Sequence, residues 1–119
     1  MNRLLLAALF VIGLAGAANA QDISGRYRLE GKNPDGSAYS GTALIVVKNR
    51  NICTIERQLT TSFVDGICML RDNRLAASFL QGDNVGVAFY ELRPDGSLSG
   101  RWTIVEKNGF GSEILTPQR

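Results

Sequence analysis

The feature that most constrains this chain is an alternation of apolar and polar residues at period two, broken every eight to twelve residues by turn-forming residues. Ile23, Gly25, Tyr27 and Leu29 fall on one side, against Ser24, Arg26, Arg28 and Glu30 on the other. Asn33-Pro34-Asp35-Gly36 then forms a turn, its proline pre-setting φ and its glycine accepting positive φ. Tyr39, Gly41, Ala43, Ile45 and Val47 share the next face, which ends at Lys48–Asn51. Further alternating stretches cover about Ile52–Gln58, Ser62–Leu70, Arg74–Leu80, Val85–Leu92, Leu98–Val105 and Phe110–Leu115. After Gln21 no segment keeps a helical period for three turns. About eight short strands joined by hairpin turns predict an all-β domain, either a small up-and-down antiparallel barrel or a coiled meander. An immunoglobulin-like sandwich ranks behind both, because it needs longer cross-sheet connections than any here.

The chain opens differently. Met-Asn-Arg, an apolar run from Leu4 to Leu14 and the small residues Ala15–Ala20 make a secretory signal peptide, with cleavage expected between Ala20 and Gln21. The run is too short for a transmembrane span, so no membrane span is expected after cleavage. Residues 21–119 then form a single domain in the periplasm or the medium. Removing residues 1–20, whose one charged side chain is Arg3, lowers the net charge from +2 to +1. With so little charge, and no run of basic residues, nucleic acid is not an expected partner.

Export decides how the cysteines read. Cys53 and Cys68 are the chain's two cysteines, and an oxidising compartment pairs them. If they face each other across a hairpin, its centre falls between Thr60 and Thr61, which suits the flanking alternation and the Cα separation a disulfide needs. The same register sets Glu56 opposite Asp65, both on the solvent side. Arg57 shares the Cys53–Ile55 face, and Glu113 and Glu91 fall near apolar positions. A charge there either sits at a barrel mouth or pairs with an opposite charge inside.

Catalysis has little to work with. The chain contains no histidine, which removes Ser-His-Asp and Cys-His chemistry and most zinc sites. No catalytic, cofactor or metal residues are assigned, and the chain is not expected to be an enzyme. Tyr27, Ile45, Phe79, Phe89, Trp102 and Ile104 are expected to point inward and fill the barrel, leaving no cavity. Trp102 should pack with Leu98, Ile104 and Tyr27. Gly25, Gly41 and Gly100 lie on the inward face and mark sharp strand coiling.

Three blocks carry a resemblance: Gly25–Gly41, then Gly66–Leu70 with Leu75–Ser78, then Tyr90–Trp102 with Gly111–Pro117. Together they resemble small exported alphaproteobacterial proteins labelled fibronectin-binding proteins, over essentially the whole mature chain. The resemblance implies a small β-domain that binds a protein, and supplies no catalytic residue. Gly25-x-Tyr27 and Gly100-x-Trp102 are also similar to the Gly-x-aromatic signatures of lipocalin and avidin barrels. Three roles follow as expectations: an exported protein-binding module of the envelope, a small-ligand carrier, or an inhibitor of an exported hydrolase.

Overall fold

A computed structural model describes residues 22–118, so the expected signal peptide at 1–20 lies outside the described residues. Eight strands follow one another: β1 (Gly25–Lys32), β2 (Ala38–Asn49), β3 (Ile52–Leu59), β4 (Phe63–Arg71), β5 (Arg74–Gln81), β6 (Asn84–Leu92), β7 (Leu98–Ile104) and β8 (Gly111–Pro117). Each pairs antiparallel with the next, and β8 returns to pair with β1, Leu29 opposite Leu115. The sheet is therefore a closed up-and-down barrel rather than an open meander or a sandwich. Closure leaves no unpaired edge to recruit another chain.

Turn chemistry sets the hairpins. Asn33–Ser37 and Arg93–Ser97 adopt the same turn, with the residue-36 and residue-96 amides donating to the Asn33 and Arg93 carbonyls. Asp35 and Asp95 each accept from a serine two residues on, at 2.9 Å from its amide and 2.7 Å from its hydroxyl. Gly36 and Gly96 sit at φ 92° and 89°, where a side chain would be strained. The shorter β3–β4 turn closes with the Leu59 amide donating to the Ser62 carbonyl. It places Cys53 opposite Cys68, joined by a disulfide with Cα atoms 4.9 Å apart, and Glu56 opposite Asp65 with both exposed.

Even turns and odd turns fall at opposite ends of the barrel. The end carrying the β2–β3, β4–β5 and β6–β7 turns holds the disulfide and is plugged by Ile23, Tyr27, Leu70 and Leu98, all buried. There the Tyr27 hydroxyl donates to the Ile23 carbonyl at 2.6 Å, fastening the chain's entry segment beneath β1. Gly25 heads β1 at φ 137°, a backbone geometry that favours glycine.

The inward face differs from expectation on β6. Val85, Val87 and Phe89 point outward, about half exposed, while Gly86, Ala88 and Tyr90 face in. Both faces of this strand are apolar, so period two alone carries no contrast there. The neighbours decide it by volume. Phe79 on β5 lies against Gly86, and Tyr90 lies against Gly100 on β7; a Cβ at either glycine would enter the ring. Large residues on one strand thus demand small ones on the next.

Cys68→Ala should lower unfolding free energy by about 2–5 kcal/mol, as loss of a native disulfide does in small domains, measured by urea denaturation. Gly66→Ala should cost about 1–3 kcal/mol or more, because its Cβ would run into the Ser78 carbonyl on β5 rather than a movable side chain. Wild-type midpoints in both variants would contradict this register.

Candidate functional site

The open mouth of the barrel, on the side of the β1–β2, β3–β4, β5–β6 and β7–β8 turns, carries the polar chemistry. Arg57 on β3 points inward, as its place beside Cys53 and Ile55 predicts, and is 3% exposed. Its partner is Glu113, inward on β8 and 4% exposed, with Nε and Oε1 3.1 Å apart. The Tyr90 hydroxyl donates to the same Oε1 at 2.5 Å, and the Tyr39 hydroxyl donates to Oε2 at 2.8 Å. Arg57 Nη2 donates to the Tyr90 hydroxyl oxygen, completing a ring of contacts across β2, β3, β6 and β8. Glu113 therefore accepts from three donors. An isolated charge here would cost several kcal/mol; the pair and its phenols offset that.

Electrostatics follow from this burial. Desolvation, and then the negative charge of Glu113, push the Tyr39 and Tyr90 phenols well above their ordinary pKa. Burial also raises Tyr27, with Asp22 adding to it. For Arg57 burial opposes the charge, but Tyr90 and Glu113 outweigh it and the guanidinium is held above its usual pKa. All three tyrosines of the chain thus hold their protons as donors.

Above this cluster opens a cavity of about 260 Å³. Its walls are the Tyr39, Phe79 and Trp102 rings with Val64, its floor Arg57 and Glu113, and its rim the Thr60–Ser62 turn with Asn33 and Gln81. Trp102 stands edge-on to Phe79 and tilted against Tyr39, each with ring centroids 6.3 Å apart. The Arg57 guanidinium lies 5.1 Å from the Phe79 centroid. One buried donor, Arg57 Nη1, finds no acceptor in the protein, while the Trp102 indole N–H is turned to the Tyr39 hydroxyl oxygen.

These positions correct the sequence reading in several places. The barrel is not filled: β6 turns Gly86, Ala88 and Tyr90 inward where Val85, Val87 and Phe89 were expected, so Tyr90 replaces the Phe89 ring while the glycine and alanine leave the valines' volume empty. Trp102 is half-buried at the mouth, against Phe79 and Tyr39, whereas Tyr27 belongs to the plugged end. Glu91 is exposed on the outer face, since β6 is turned over. Gly100 lies under the Tyr90 ring. Tyr39 and Tyr90 were not singled out as polar partners of Arg57. An unpaired arginine on an inward face is the signal for them, because it requires acceptors from the strands around it.

The outer wall is divided. β1 shows solvent Arg26, Arg28 and Glu30, while β4, β5 and β6 show an apolar face. There Ala76 and Ser78 form a low floor between Ile67 and Met69 on one side and Val87 and Phe89 on the other, these four being 53–65% exposed. Such a patch exceeds the scattered apolar residues normal on a surface.

No family model matches the chain, and no curated protein is similar to it. Solved structures are similar in fold. A redesigned β-barrel superposes with TM-score 0.72 at 14% identity, covering 82% of this chain and 92% of that one. A de novo designed fluorescence-activating β-barrel gives 0.67 at 19%, covering 83% and 96%. A redesigned barrel bound to DFHBI gives 0.70 at 15%, covering 79% and 94%. These likenesses establish the eight-stranded barrel and nothing finer.

Two measurements check the cluster. Glu113→Gln strands the buried guanidinium and should cost about 3–5 kcal/mol, whereas Arg57→Met with Glu113→Leu together should cost clearly less than the two single changes summed. In alkali, the folded tyrosines titrate above their unfolded value. Their contribution is intact below about pH 10 and is lost as pH rises beyond it, because only the unfolded chain then releases the protons. Tyrosinate absorbance should therefore rise together with loss of strand signal in circular dichroism. A tyrosine titrating near pH 10 in folded protein would contradict the geometry.

Proposed function

We propose that the chain is an exported, non-catalytic binding protein of the bacterial envelope that holds a small, largely apolar ligand in the mouth cavity. The observation that carries this is the cavity itself: about 260 Å³, walled by three aromatic rings over a buried ion pair. An engineered apolar cavity of about 150 Å³ holds benzene, and drug-sized pockets begin near 300 Å³. A ligand of one ring with a short substituent fits; a long lipid chain does not. The eight-stranded barrel is an architecture able to enclose one small ligand.

Other features support the reading. Arg57 is matched by Glu113, and both phenols are held protonated as donors to it, so neither phenol offers a base near neutral pH. The expected signal peptide argues for export, and the disulfide is compatible with an oxidising compartment.

A second reading, recognition of another protein, is favoured by the apolar outer face of β4–β6, and fibronectin is the partner the resemblance names. Phe89→Lys, at the wall of that face, should abolish capture on immobilised fibronectin if this holds, while leaving ligand binding at the mouth untouched.

Trp102 is the chain's single tryptophan and lines the cavity, so occupancy reports on itself. A library of single-ring compounds should contain members that shift its emission saturably. Val64→Phe, which fills the cavity from β4, should remove that response in protein whose circular dichroism is unchanged. A library with no saturable member would sink the carrier reading.

A further inference from the structure

We infer that the mouth cavity selects an aromatic molecule bearing a neutral carbonyl oxygen, which accepts a hydrogen bond from Arg57 Nη1. The inference rests on the ligand-carrier reading and specifies its chemistry. It begins from the donor left over in the cluster. Arg57 spends Nε on Glu113 and Nη2 on Tyr90, and Tyr39 and Tyr90 spend their protons on Glu113. Nη1 of Arg57 remains, buried and without a protein acceptor, on a residue that lines the cavity, while the Trp102 indole N–H is turned to the Tyr39 hydroxyl. The guanidinium lies 5.1 Å from the Phe79 centroid, so the acceptor it lacks would sit beside an aromatic wall. A buried donor left unsatisfied costs about 1–3 kcal/mol, so an occupant that supplies an acceptor recovers that cost while a hydrocarbon does not.

The acceptor is neutral because the charge is already balanced. Glu113 lies 3.1 Å from Arg57 and lines the same cavity. A ligand carboxylate would bring a second negative charge beside it with no second cation to match. A ligand ammonium fails for the opposite reason, offering only donors where donors are in excess and placing its charge beside Arg57. A carbonyl oxygen has two lone pairs and no charge, and an aromatic ring attached to it matches walls made of Tyr39, Phe79 and Trp102.

Four probes of nearly equal size separate these cases: acetophenone, ethylbenzene, benzoate and benzylamine, titrated calorimetrically into the full mature chain at neutral pH. Acetophenone should bind at least about ten-fold more tightly than ethylbenzene, from which it differs by one oxygen. Benzoate and benzylamine should bind more weakly than acetophenone by at least as much. Arg57→Lys keeps a cation for Glu113 and deletes the Nη1 donor, so it should weaken acetophenone several-fold and leave ethylbenzene unchanged. Equal binding of acetophenone and ethylbenzene would leave an apolar carrier and overturn the carbonyl assignment. Benzoate or benzylamine as the tightest probe would overturn the neutral-acceptor assignment. Failure of all four to bind would remove the carrier reading itself and this inference with it.

Discussion

Eight antiparallel strands closed on themselves enclose an interior whose width is fixed by strand number and tilt, and every inward residue must share that space. Closure here is made by β8 pairing with β1, and its consequence is seen strand by strand. Where Phe79 and Tyr90 point in, the facing positions are Gly86 and Gly100; Tyr39 lies over Gly31, and Trp102 over Gly111. The glycines are volume complements, since a Cβ at any of the four would lie inside the neighbouring ring. A flat sheet could have kept side chains at all of them. A barrel of this size could not, and the same limit decides which face of β6 turns inward.

The buried cluster has to be weighed within that limit. A guanidinium and a carboxylate at the heart of a small domain contribute less to stability than a pair of leucines would, because desolvation takes back most of their attraction. Retaining them costs stability that the apolar half must supply. Leu29, Ile45, Ile55, Leu75, Leu98 and Leu115 are wholly buried and supply it. What the ion pair provides is orientation. Arg57, held by Glu113 and Tyr90 and lying against Phe79, cannot swing out to water, so its remaining donor keeps one direction. That is the property of a binding floor, and it is obtained from second contacts rather than from the cavity wall.

Much of this was legible in the residues. The repeated Pro-Asp-Gly-Ser turns, the alternation on β1, β2, β3, β5 and β7, and the Cys53–Cys68 register all follow from period and turn chemistry. The alternation also put Arg57 on the Cys53–Ile55 face, and it left Glu113, like Glu91, beside apolar positions without deciding its direction. What period two could not resolve was β6, where Val85, Val87 and Phe89 compete with Ala88 and Tyr90 and both faces are apolar. That ambiguity propagated: turning β6 over exposes Glu91, takes Phe89 from the interior, brings Tyr90 to Glu113 and leaves the mouth open. The cavity was illegible for the same reason. Volume is a property of facing strands taken together, and a face assigned strand by strand carries no information about it.

On the proposed function, the two ends of the barrel divide stability from recognition. At one end the disulfide ties β3 to β4, Tyr27 holds the entry segment at Ile23, and the interior is plugged. At the other, the rim is the Thr60–Ser62 turn with Asn33 and Gln81, polar residues at the far end of the β3–β4 hairpin from the disulfide. A ligand entering there would meet polar rim, aromatic wall and ionic floor in turn, at turns far from the plug. Had the bridge lain at the mouth, it would have stiffened the connections that must yield. Placing it one hairpin length away lets the closed end hold the strand register on which the Arg57 floor depends, while the open end stays free to adjust.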